Sequence, residues 1–217
     1  MPPLHLRLLL PMLALGMGLA LGFIEPMGLV LSAAFIVWVL FGERLLPHWL
    51  WWSGGLLGGI ALATHLLPGF QATLLWPPRQ ISDDAPPYAL HLSWDKLLLG
   101  FTLLAWWLGQ PPRPTVRPGL VALAGLITLL AVPLAALSLG LVDWQPKWPQ
   151  QIWLWLAVNL GVAVLAEELL FRAWLQPALV ARLGTFAGLV ATALLFGAAH
   201  LPFSPLFALV ALLAGLG

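Results

Sequence analysis

The sequence predicts an all-α fold, a polytopic bundle of about seven to eight transmembrane helices, and three observations support this prediction. Hydrophobic residues make up 61% of the 217 residues and charged residues only 8%, whereas a soluble domain carries about 25% charged residues. Apolar runs recur along the whole chain, separated by clusters of charge and proline. Two tryptophan clusters, HWLWW and QIWLWL, lie at the edges of apolar runs, which is typical of a membrane interface. We therefore expect an integral membrane protein in contact with lipid.

Composition also excludes several classes of function. The chain has no cysteine, which excludes a disulfide framework, a thiolate zinc site and a cysteine nucleophile. The formal net charge is +1, and no basic run or stripe of basic and aromatic residues indicates a nucleic-acid partner.

The apolar runs predict the membrane spans in chain order. The first run, about 4–24, predicts a helix rather than a signal peptide, because no small-residue cleavage pattern precedes FIEP and further spans follow. The later runs predict a short second span and six others, at 27–41, 48–67, 92–109, 119–142, 151–171, 185–201 and from 205 onward. The glycines of SGGLLGG in the third span predict close helix packing, since a phosphate loop would need a lysine.

Charged residues in the loops predict the orientation of the chain. With a cytoplasmic N-terminus, six basic residues lie in cytoplasmic segments and three in external ones, which agrees with the positive-inside rule. The cytoplasmic residues are Arg7, Arg44, Arg113, Arg117, Arg172 and Arg182, and the external ones are Arg79, Lys96 and Lys147, with Asp83, Asp84, Asp95 and Asp143. Residues 1–150 are then an N-terminal group of about five spans, with an external, proline-rich loop near 68–91 that we expect to be irregular or interfacial.

The stretch VLAEELLFRAW carries three charges within six positions of an apolar run. A carboxylate at the centre of a membrane helix costs roughly 2.5–3.5 kcal/mol on the insertion scale, so two adjacent glutamates require a reason. Glu168 and Arg172 are four residues apart and can pair on one face of a helix. Glu167 has no such partner within the helix and is free to face a cavity. The spacing therefore favours Glu167 as a general base or acid and Glu168 as a structural residue.

A second polar motif, in LLFGAAHLP, places His200 at the end of the seventh span with Phe196 one helical turn before it. The predicted topology puts Glu167 near the cytoplasmic end of its span and His200 nearer the external side. The two residues can meet only if 172–184 re-enters the membrane as a short helix or if the seventh span starts deep in the membrane.

Other polar residues are interpreted as structural. Asn159 is expected to hydrogen-bond between helices, with a position lining the active cavity as the alternative. No catalytic role is expected for residues that end a span near an interface or lie in or beside loops: Thr64, His65, His48 and His91.

The pattern EExxxR in EELLFR, followed one helix later by FxxxH in FGAAH, resembles the CPBP intramembrane proteases. This family includes the CAAX-prenyl endopeptidases and the bacteriocin-processing or Abi-type proteins, and the resemblance covers roughly 164–202. It implies that residues 151–217 are part of a catalytic core that cuts a peptide or protein substrate at the membrane, which we expect to be a bacterial inner membrane. Carried over by position, Glu167 activates water, Glu168 and Arg172 complete the first motif, and His200 holds or polarises that water.

The resemblance also implies a third motif, a His followed four residues later by Asn or Asp, which supports the oxyanion. No such motif follows His200 before Gly217, so we expect a fragment of a longer chain, with a truncated, inactive protein as the alternative. We expect no metal or other cofactor. If zinc is used instead, its ligands are Glu167 and His200, although zinc sites usually take three protein ligands.

Two other classes of function stay open. A proton- or cation-coupled transporter would use Glu167 and Glu168 as its ion site. A catalytically inactive protein of the same fold would bind a peptide, as an immunity protein does. The substrate, its prenylation and the oligomeric state do not follow from the sequence.

Overall fold

The computed structural model describes residues 3–81, 87–111 and 117–216, and helices make up most of them. Arg113, Asp83 and Asp84, on which part of the topology prediction depends, lie outside the described residues. The α-helices are α1 (Leu4–Ala20), α2 (Pro26–Leu45), α3 (His48–Ala63), α4 (Trp94–Trp107), α5 (Pro118–Ser138), α6 (Ile152–Val158), α7 (Leu165–Glu168), α8 (Gln176–Leu183), α9 (Thr185–Ala199) and α10 (Pro205–Leu216). Each predicted span therefore corresponds to helical structure.

Within the described residues, three helical segments are long and apolar enough to cross a membrane by length and composition: α2, α5 and the stretch Ile152–Leu183. Shorter apolar helices are α1, α9 and α10. These helices support an integral membrane protein, and the count of seven to eight spans stays a prediction.

Two predicted spans have the wrong length. The second is not short: α2 has 20 residues, and Pro26 starts it, because proline suits the first position of a helix. The sixth does not end at 171, since α6, α7 and α8 form one helix of 32 residues. Its α-helical parts are joined by two π-helical segments, Asn159–Val164 and Leu169–Leu175. The helix ends only at Gly184, whose φ of 84° is a left-handed conformation that glycine adopts easily.

The loop near 68–91 is not irregular throughout, and it adds a small sheet to the predicted all-α fold. The strands β1 (Thr73–Arg79) and β2 (Tyr88–Leu92) pair antiparallel. The register shifts between Trp76 and Arg79, where two prolines supply no N–H to the ladder. Trp76 is buried, and the Arg79 guanidinium carbon lies 3.6 Å from the centroid of its ring.

The chain forms two compact units, and the first comprises residues 1–111 and 148–170. Helix α4 is central to this unit, because it packs against α1, α2, α3, α7 and the first π-helical segment. Accordingly Leu98, Leu99 and Leu103 are at most 1% exposed. At the far end of α4, Arg7 of α1 donates a hydrogen bond from Nη1 to the Ala105 carbonyl at 3.0 Å. A cation at a helix C-terminus is stabilising there.

The predicted close packing of the third span is confirmed within this unit. A Cβ added to Gly54 would lie 2.5 Å from the ring of Trp38, and one added to Gly58 would lie 2.9 Å from Phe35. Trp38 also donates a hydrogen bond from Nε1 to the Trp51 carbonyl at 3.0 Å. Helices α2 and α3 therefore approach closely only because these positions have no side chain.

The second unit comprises residues 112–147 and 171–217. Helix α9 packs against both α8 and α10, and α10 also packs against α5. Glycines again permit the close contacts: a Cβ on Gly188 would lie 2.6 Å from Val180, and one on Gly197 would lie 2.9 Å from the Ala208 carbonyl oxygen. None of the residues of α5 is buried, which suits a helix that faces lipid.

Candidate active site

Glu167 lies on α7, in the middle of the Ile152–Leu183 helix. Its Oε1 is 3.7 Å from Nζ of Lys96 on α4, and the two side chains are 27% and 22% exposed. The predicted topology had placed Lys96 outside and Glu167 near the cytoplasmic end of its span. That separation is wrong, because the helix is longer than predicted and the ion pair requires both side chains to lie at one depth.

The backbones of α4 and α7 approach closely next to this ion pair. A Cβ added to Gly100 would lie 3.4 Å from the Ala166 backbone nitrogen, and Ala166 is 1% exposed. A Cβ on Gly59 of α3 would lie 2.8 Å from Leu170. Small residues therefore lie at the contact between the helices that carry Lys96 and Glu167.

The start of α4 contains a second polar contact, which the sequence did not predict. His65, expected to have no special role, has Nδ1 2.6 Å from Oδ2 of Asp95, and the Asp95 side chain is only 4% exposed. The other carboxylate oxygen of Asp95 accepts a hydrogen bond from the backbone N–H of Lys96 at 2.8 Å. His65 has a φ of 59°, which is uncommon for a residue other than glycine. Asp95 thus holds both the end of α3 and the first turn of α4.

Glu168 follows Glu167 on α7, and Arg172 lies in the second π-helical segment. Arg172 donates a hydrogen bond from Nη2 to the Ala214 carbonyl at 2.9 Å. Ala214 is in the last turn of α10, where carbonyls lack partners within the helix and a cation is favourable. The pairing of Glu168 with Arg172 stays a prediction.

His200 is the C-terminal cap of α9. Its Nδ1 lies 2.8 Å from the Phe196 carbonyl oxygen, and since a carbonyl can only accept, Nδ1 carries the donated proton. In the neutral ring, Nε2 is therefore an acceptor. The spacing FxxxH has a physical cause, because the carbonyls of a last helical turn have no N–H partner four residues onward.

Aromatic rings surround the His200 imidazole. The ring centroids of Phe196, Phe207 and Phe203 lie 4.7, 5.5 and 6.1 Å from it. Phe171, next to Arg172 in sequence, packs edge to face on Phe196 with centroids 5.1 Å apart. All of these ring contacts lie within the second unit.

Asn159 does not bond between helices, contrary to expectation. Its Nδ2 donates to the Trp155 carbonyl at 2.9 Å, one turn earlier in its own helix. The first π-helical segment begins at the same residue, and side-chain bonds to the preceding turn are known to bend helices.

The described residues do not form a set of metal ligands. No group of three or more His, Cys, Asp or Glu side chains among them is placed to hold a metal ion, whereas a catalytic zinc usually takes three protein ligands. The expectation that the protein uses no metal or other cofactor stays a prediction, and so does its alternative, a zinc ion held by Glu167 and His200.

The four predicted site residues all lie in the part of the chain that matches a known family. Residues 148–217 match the family described as type II CAAX prenyl endopeptidase Rce1-like. The resemblance to CPBP intramembrane proteases is confirmed. At the level of the family, the match supports a membrane peptidase of the CAAX-protease type. No curated protein and no solved structure matches the chain significantly.

Proposed function

We propose that this protein is an intramembrane endopeptidase that hydrolyses a peptide bond of a membrane-associated peptide or protein by glutamate-activated water. The observation that carries this proposal is the family match over 148–217, since that range contains both EExxxR and FxxxH. A transporter would not require both motifs together.

In the proposed reaction, Glu167 acts as the general base. Its carboxylate takes one proton from a water molecule, and the resulting hydroxide attacks the scissile carbonyl carbon. The protonated Glu167 then gives its proton to the amine that leaves as the peptide bond breaks. Its side chain is 27% exposed, so the surrounding helices do not enclose the carboxylate completely.

His200 is proposed to hold the attacking water. Its Nδ1 donates to the Phe196 carbonyl, so the neutral ring can accept the second hydrogen of the water at Nε2. Glu168 and Arg172 are assigned a structural role in holding their helix.

Replacing Glu167 by Gln tests the proposed reaction, because Gln keeps the size of the side chain and removes the base. We expect Glu167→Gln to lower the turnover of membrane-anchored reporter peptides, prenylated and unprenylated, by about 10²–10⁴-fold. Glu43→Gln, at an exposed position of α2, is the matched control and should keep wild-type turnover.

The same preparation discriminates between the rival functions. Cleavage that survives strong chelation and is lost in Glu167→Gln supports glutamate-activated water, whereas cleavage that chelation abolishes and zinc restores contradicts it. Ion flux in proteoliposomes that depends on Glu167, with no cleavage of any reporter, would instead establish the transporter.

A further inference from the structure

We infer that Lys96 is a positioning residue for Glu167, an inference that rests on the proposed function. Lys96 lies outside the matched range 148–217 and outside both motifs. Its Nζ is 3.7 Å from Glu167 Oε1. This distance is longer than a charge-assisted hydrogen bond, about 2.7–2.9 Å. The ammonium group therefore compensates the charge of the carboxylate, while the oxygen lone pairs stay available to water.

The energetic reason for such a partner follows from the membrane environment. Ionisable residues within membrane helices are costly and pair with one another. Glu167 and Glu168 are adjacent and alike in charge, so a cation on a neighbouring helix fixes the direction of the first carboxylate. Both side chains are less than a third exposed, which limits the screening of their attraction by solvent.

Lys96 is itself held in place by two features of the first unit. Its backbone N–H donates to the buried Asp95 carboxylate at 2.8 Å, which fixes the first turn of α4. One turn later, Gly100 packs against the backbone of Ala166, the residue before Glu167. The packed backbones of α4 and α7 thus hold Lys96 next to Glu167, as expected of a residue that sets the geometry of a reacting group.

Lys96→Met and Lys96→Arg separate positioning from simple structural support. Misplacement of a catalytic group commonly costs about 10²-fold, so Lys96→Met should lower kcat by about tenfold or more with KM little changed. Lys96→Arg keeps the positive charge and should restore most of kcat. The matched control is Lys147→Met, at the exposed second lysine of the chain, which should behave as wild type.

Two results would overturn the inference: wild-type kcat in Lys96→Met, or a loss that follows the amount of folded protein and that Lys96→Arg does not restore. If Lys96→Met does not accumulate, Lys96→Gln is measured in its place against the same criteria. Wild-type cleavage in Glu167→Gln would instead contradict the proposed function.

A thermal double-mutant cycle tests the contact without depending on cleavage. The unfolding midpoint is measured for Lys96→Met, Glu167→Gln and the double variant in detergent. A real ion pair makes the shift of the double variant smaller than the sum of the single shifts. Additive shifts would show that the two side chains do not interact, and would overturn the inference whatever the activity.

Discussion

The His200 imidazole has one of its two nitrogens bonded to the backbone, and this determines what the ring can do. Nδ1 donates to the Phe196 carbonyl, and three phenylalanine rings surround the imidazole. The neutral ring can therefore offer only an acceptor, at Nε2. The role proposed for His200, an acceptor for the attacking water, depends on this nitrogen.

His200→Asn separates the two nitrogens by experiment. The asparagine amide can replace Nδ1 as the donor to Phe196, but it places no acceptor at the position of Nε2. We expect a folded protein whose turnover of reporter peptides falls by about 10² or more. His91→Asn, on β2 at an exposed position, is the control. Near wild-type turnover in His200→Asn would exclude a role for Nε2.

At the scale of the elements, two π-helical segments flank the glutamate pair in the Ile152–Leu183 helix. A helical wheel assumes the same angle about the helix axis between all consecutive residues. A π-helical segment changes that angle, and such segments are frequent at functional sites. The wheel predicted that Glu167 has no partner within its own helix. It could not indicate Lys96, because a wheel compares only residues of one helix.

The close packing of α4 against α7 can be tested by enlarging the side chain at their contact. Gly100→Leu should push the helices apart, because the added side chain meets the Ala166 backbone, and overpacking typically costs about 1–3 kcal/mol. Both the unfolding midpoint in detergent and the cleavage rate should fall. Gly100→Ala should be tolerated, since its Cβ would make ordinary contacts at 3.4 to 3.6 Å.

Gly119→Leu is the matched control for this substitution. Gly119 lies on α5, and a Cβ there would meet nothing within 4 Å. The control should therefore unfold at the wild-type midpoint. A Gly100→Leu protein as stable and as active as the control would contradict the close approach of α4 and α7.

At the scale of the whole molecule, apolar runs predicted the position of each long helix among the described residues, although not the full length of two of them, since a membrane span requires consecutive apolar residues. The β-hairpin was not predicted, because two prolines interrupt the sequence pattern of a strand in 73–79. Contacts between helices were also missed: Lys96 with Glu167 and His65 with Asp95 join residues far apart in sequence. The two motifs could be predicted because each lies within one helix or one helical end.

The orientation in the membrane is the last prediction, and the absence of cysteine makes it directly testable. A single cysteine introduced as Lys147→Cys or Glu43→Cys is the only thiol of its variant, and both positions are exposed. With the N-terminus in the cytoplasm, position 147 faces outward and position 43 inward, following the distribution of basic residues. A membrane-impermeant maleimide should label Lys147→Cys in intact bacterial spheroplasts and Glu43→Cys only after lysis. The reverse pattern would invert the topology, and labelling of both before lysis would mean that no bilayer separates the two positions.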